Sequence, residues 1–151
     1  MKITLKDGRR YILRFDKGEE VSENLKKFIA SENIGASYFS AIGACGLAEL
    51  SYFNLETKKY QNKVFEEDLE IVSLTGNSSL LNNNVALHAH AVLSRADFST
   101  LGGHLFKLVV SATCEVFLIK LDGKMERKLD EGMNLNLLFS SPPSRGGVRG
   151  G

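Results

Sequence analysis

The chain has 151 residues, 43% of them hydrophobic, which is the size of one ordinary domain built on one sizeable core. Nineteen basic residues meet 18 acidic ones, and without Arg145 and Arg149 in the last eleven residues 17 basic stand against 18 acidic. A body this close to neutral has no overall field to draw in a nucleic-acid backbone, since non-specific affinity comes from clustered Lys and Arg that release counterions.

The N-terminal stretch MKITLKDGRRYILRF carries charges every few residues and lacks the apolar run of a secretory signal. No segment has the length of a bilayer span, so the expectation is a soluble, cytoplasmic protein without a membrane partner. RRYILRFDKGEE predicts a strand from about Arg9 to Phe15 that leads through a Lys-Gly turn. In VSENLKKFIASENIG, the apolar residues Val21, Leu25, Phe28 and Ile29 recur at helical spacing. Ser22 is the expected N-cap, and Gly35 is placed where a left-handed residue follows a helix.

After this one helix everything reads as strand. ASYFSAIGACG, LAELSYFNLE, KKYQNKVFEE, LEIVSLTGNSSL, VALHAHAVL, GHLFKLVVSATCEVFLIKL and MERKLD are runs rich in β-branched and aromatic residues, parted by Gly, Asn and Asp. One helix with seven or more strands predicts a single α+β domain over residues 1–140, a mainly antiparallel sheet with the helix on one face. Gly43-Ala-Cys-Gly46 stands between two strands and opens no helix, so it predicts a glycine turn or bulge rather than a phosphate-binding loop. Residues 141–151, SPPSRGGVRGG, hold one hydrophobic residue and predict a disordered tail; two Arg-Gly-Gly steps are weak evidence for a nucleic-acid partner. Cys45 and Cys114 lie far apart in apolar runs without metal-ligand spacing, which predicts buried free thiols.

All three histidines fall within twenty residues, ALHAHAVLSRADFSTLGGHL. Alternation on a strand sends His88 and His90 to one face, flanked by Ala86 and Val92, with Leu87, Ala89 and Ala91 on the other. The same parity sets His104 beside Phe106 and Leu108 on the next strand. If the two strands are neighbours, three imidazoles converge; zinc commonly takes three protein nitrogens plus an open water position, whereas iron sites more often add a carboxylate. Structural histidines and acid/base catalysis are the competing readings. Glu115, in the apolar run SATCEVFLIK, is either a fourth ligand or an orienting partner of a histidine, or it points to solvent with Ser111 and Thr113; period two alone leaves both open.

At LHAHAVLSRADFSTLGGHLFKLVVSATCEVFL the chain resembles the plants-and-prokaryotes-conserved domain, in its stand-alone prokaryotic form. The resemblance runs from about Arg9 to Phe139 and takes in RYILRFDKGEEV, AIGACGLAELSYFN and LEIVSLTGN. It implies a compact α+β domain that assembles as a homotrimer, with a metal site near a subunit boundary. Carried over residue by residue, it implicates His88, His90 and His104 as ligands, with zinc the first expectation and iron the second. Gly102 and Gly103 then permit the close approach of the chain to the site. The sequence departs from the family where Asp97, usually followed by Gly, is followed by Phe98. Prokaryotic members are described as DNA-binding, and plant members carry AT-hooks whose Arg-Gly-Arg core enters the minor groove. SRGGVRGG lacks that core, so DNA is a partner supported by the resemblance but not by charge. Two functions follow: a homotrimeric binding module with a three-histidine metal site, or a metal-dependent enzyme that uses the same histidines on a small-molecule substrate.

Overall fold

A computed structural model describes residues 1–139. The order of elements is β1 (Lys2–Asp7), β2 (Arg10–Asp16), α1 (Val21–Ser31), β3 (Ser37–Asn54), β4 (Lys59–Phe65), β5 (Leu69–Leu81), β6 (Asn84–Ser94), β7 (Thr100–Lys120), β8 (Glu126–Asp130) and β9 (Leu135–Phe139). The fold is a single α+β domain with one nine-stranded sheet, as the strand-rich sequence predicts. The expected tail, residues 141–151, lies outside the described residues. Among the described residues no helix is long and apolar enough to cross a membrane.

Two strands organise the sheet because each is long enough to serve two neighbours on one edge. β3 pairs with β7 on one side, and with β5 and then β4 on the other. β7 likewise pairs with β2 and β6 on the edge away from β3. Since β6 also pairs with β5, the strands β3, β5, β6 and β7 close into a circuit, and no member of it has a fully bare edge. β1 extends the sheet beyond β2, and β8 joins β5 through one parallel pair, Leu80 with Glu126.

Gly43 makes the long β3 continuous where the sequence reads as two strands. Its φ is +145°, both ladders shift register there, and a Cβ would fall 2.2 Å from the Thr113 carbonyl oxygen. Only a residue without a side chain lets β3 and β7 approach this closely. The glycine pair therefore acts as a bulge inside one bent strand.

α1 covers one face of the sheet, with Val21, Leu25, Phe28 and Ile29 buried against Leu13, Phe15, Phe39, Leu108, Val116 and Leu118. Each such side chain is worth roughly 1.5–3 kcal/mol of burial. The helix starts two residues earlier than its cap signal suggests. Glu20, not Ser22, is the N-cap: its carboxylate accepts from Ser22 N at 2.9 Å and Glu23 N at 2.6 Å. The longer side chain also reaches Leu108 N on β7 at 3.2 Å, so one carboxylate both caps the helix and docks it. The left-handed residue after α1 is Asn33, with φ +49°, rather than Gly35.

Cys45 and Cys114 are fully buried and unpaired, and burial drives their thiols up to about 11 and about 12. β1 and β9 are additional to the strands read from the sequence. β1 is exposed along its whole length and is held by pairing with β2 through the Asp7-Gly8 turn. β9 exists because β8 offers it a partner.

Candidate metal centre

β6 alternates as its sequence predicts. Ala89, Ala91 and Leu93 are buried toward the core, which turns His88 and His90 to the opposite face. β7 runs antiparallel beside it, and His90 stands directly opposite His104. The three rings meet with centroids 5.1–5.4 Å apart. One nitrogen from each ring lies within 4.8 Å of the others, and the Nε2 atoms of His88 and His90 are 3.3 Å apart. Two nitrogens bound tetrahedrally at zinc distances sit about 3.3 Å apart. The spacing therefore suits a common cation.

Two glycines permit this approach. A Cβ on Gly102 would meet the Ala91 carbonyl oxygen at 2.9 Å, and one on Gly103 the Ser51 carbonyl oxygen at 2.8 Å. β7 thus carries no side chain where it is wedged between β6 and β3, next to His104.

The parity of β7 changes just past His104. Leu50 pairs with Leu105 while Glu49 pairs with Lys107, so Phe106 is an extra residue on β7. Leu105 and Leu108 are therefore both buried, and the expectation that Leu108 shares the histidine face is corrected. Phe106 stays beside His104 at 4.8 Å between centroids, and Tyr60 of β4 stands 5.2 Å from the same ring. Tyr60, Phe106 and Phe53 form an aromatic wall on one side of the cluster.

Glu115 is not brought to the cluster. It is exposed on β7, opposite Arg14 of β2 and Ile42 of β3. Eleven positions of extended chain, on the order of 30 Å, separate it from His104. Of its two sequence readings, the solvent-facing one describes its place.

On the other side of the histidines stands Arg127, which sequence reasoning missed. The β8–β9 hairpin leaves β5 and reaches the turn after β3, where Asn134 Nδ2 donates to Lys58 O at 3.4 Å. Arg127 donates from Nε to Ser79 Oγ at 2.8 Å, from Nη2 to Asn77 Oδ1 at 2.8 Å, and from Nη1 to Asn136 O at 2.9 Å. Asn77 is the cross-strand partner of His88, so the guanidinium lies on the histidine side of β5. No sequence signal marks it: MERKLD reads only as a strand, and β8 shares a single ladder pair with β5.

The electrostatics follow from this crowding. Burial, then the neighbouring His88, His90 and Arg127, holds the His104 imidazole down to about 4. Burial, Arg127 and His90 lower His88 as well. Both rings are therefore neutral at pH 7 and present lone pairs. Three imidazoles without a carboxylate form a donor set that suits a borderline divalent ion with one open position.

A family model described as the Plants and Prokaryotes Conserved domain matches residues 3–122. Among solved structures, a candidate DNA-binding protein of Bacteroides thetaiotaomicron superposes with a TM-score of 0.87 at 32% identity, over 89% of this chain and 94% of its own. The metal-containing protein of Archaeoglobus fulgidus gives 0.83 at 37% identity, over 93% and 100%. A plant- and prokaryote-conserved protein of Pyrococcus horikoshii gives 0.83 at 32% identity, over 94% and 99%. No curated protein matches the chain.

Proposed function

The chain belongs to the Plants and Prokaryotes Conserved domain family, and on that footing we propose that it is a self-assembling binding module that holds a divalent metal ion through His88, His90 and His104. The observation that carries this reading is the convergence of one nitrogen from each ring within 4.8 Å. The Archaeoglobus relative, named as metal-containing, supports it. Zinc is the ion we assign first, because the donor set is all imidazole.

Assembly is supported by the sheet face opposite α1. Tyr38, Ile42, Phe117 and Ile119 project from it on adjacent strands, with Tyr38 opposite Ile119, and each is between 42% and 52% exposed. A contiguous apolar face of this kind is what subunit contacts cover. A homotrimer is the arrangement we propose for it.

The Bacteroides relative is named for DNA binding. With 17 basic against 18 acidic residues outside the C-terminal eleven, we assign any DNA contact to a local surface and expect it to be weak. A second reading, metal-dependent turnover of a small molecule, is favoured by the cavity of about 300 Å³ beside the histidines.

Elemental analysis of protein purified without added metal, with light scattering of the same sample, tests the proposal. The expected result is close to one metal per chain, lost in the His88→Ala/His90→Ala double variant, and a mass of three 16.6 kDa chains. Ile42→Lys with Phe117→Lys should reduce that mass to one chain. Absence of metal overturns the site, and a single-chain mass in the unmodified protein overturns the assembly. A gel shift on duplex DNA at low salt, where electrostatic contacts are strongest, tests the DNA contact.

A further inference from the structure

The cavity beside His88 and His104 is lined by Tyr60, Arg127 and a wall that includes Leu81, Leu87, Leu135 and Leu137. None of its lining residues is acidic. Arg127 is partly withdrawn from water, and all three of its partners are neutral: a hydroxyl, an amide oxygen and a backbone carbonyl. A guanidinium in such a place is ordinarily matched by a carboxylate, because an unpaired charge is costly to desolvate. It has five N–H donors, of which three are engaged, so each terminal nitrogen keeps one to give.

A divalent ion held by His88, His90 and His104 adds two more positive charges to this corner. The result is a pocket with concentrated positive charge at one end, hydrocarbon at the other, and no anion from the chain among its lining residues. Arg127 also lies beyond the family-matched residues 3–122, on a hairpin whose turn reaches the chain after β3. The hairpin thus brings to the histidines a charge that the matched segment does not supply.

We propose that this cavity binds a small organic acid, whose carboxylate is received by the free N–H groups of Arg127 and by the open position of the metal, and whose short hydrocarbon body lies along the leucine wall. The metal half of this contact rests on the three-histidine reading; the Arg127 half does not. A planar carboxylate matches the paired donors of a guanidinium, and the apolar wall favours an acid with a hydrocarbon tail over a bare phosphate. Tyr60 also lines this cavity.

The test uses the full chain loaded with Co²⁺, whose visible absorption reports its ligands, and titrated with butyrate, with butyramide and with inorganic phosphate. The expected result is saturable binding of butyrate that perturbs the cobalt spectrum, at least tenfold tighter than the uncharged amide. Arg127→Gln should weaken butyrate at least tenfold with metal content unchanged, and Arg127→Lys should restore part of the loss. Equal binding of butyrate and butyramide by the unmodified protein overturns the proposal without the need of any variant. So does equal butyrate affinity in a folded Arg127→Gln protein, which would leave Arg127 as a staple for β8–β9. Tighter binding of phosphate than of butyrate overturns the carboxylate assignment. If the chain takes up no metal, the three-histidine reading fails by itself. Calorimetry on the metal-free protein then decides the Arg127 half: butyrate binding that Arg127→Gln abolishes sustains it, and no binding overturns it.

Discussion

β7 carries His104 near one end and Glu115 near the other, each a polar group in a run of apolar residues. At the His104 end the neighbouring strand β6 sets His90 directly opposite, β4 adds Tyr60, and the β8–β9 hairpin adds Arg127. At the Glu115 end the neighbours are Arg14 and Ile42, the face is open, and Tyr38, Phe117 and Ile119 stand exposed beside it. The same strand therefore builds a convergent site at one end and an uncovered sheet face at the other. A polar residue in a strand becomes a site only where the adjoining strands supply partners on the same side.

The strongest way to break this contrast is at Gly43, where β3 bends across β7 and separates the two ends. Gly43→Ala forces a Cβ against the Thr113 carbonyl in a backbone conformation that side chains rarely adopt. We expect a loss of ~3–5 kcal/mol, read as the shift of the urea midpoint, or failure to fold. A loss below about 1 kcal/mol would mean that β3 and β7 do not need this contact.

A smaller effect sharpens the His104 end alone. His88 and His104 resist protonation in the fold, while unfolded histidine takes up a proton near its ordinary value of 6.5. Groups lowered in this way contribute stability that is fully present above pH 6.5 and is lost as pH falls from there toward about 4. Chelator-treated protein should lose about 2 kcal/mol between pH 7 and pH 4.5, allowing for solvent access to the rings. The His104→Asn variant should show a flatter urea-midpoint profile across the same window. A flat profile in the unmodified protein would show that water reaches the rings freely.

The smallest expected effect is at the other end. Glu115→Gln removes an exposed carboxylate far from the histidines, and we expect a stability change within about 0.5 kcal/mol. Metal content and metal affinity should stay the same. Loss of metal in this variant would erase the distinction between the two ends of β7.

Much of the fold is legible because periodicity is local. The helix face Val21, Leu25, Phe28 and Ile29, the order of the main strands, the bulge at Gly43 and the outward turn of His88 and His90 all follow from spacing along the chain. β1 was not legible, since it is exposed along its whole length and its stability comes from pairing with β2. The cap at Glu20 was missed because its carboxylate is favoured by a contact with Leu108, 88 residues away. The burial of Leu108 was missed because one extra residue at Phe106 inverts every side chain after it.

The sequence by itself determined which residues have a face to bury and that His88 and His90 share one face of a strand, because strand and helix periods are properties of a few consecutive residues. Tertiary structure alone decided that Glu115 is remote, that Gly102 and Gly103 are wedged between two strands, and that Arg127 lies over the histidine face. Those outcomes depend on which strands pair and in what register, and register is set by contacts between residues that are far apart in the chain.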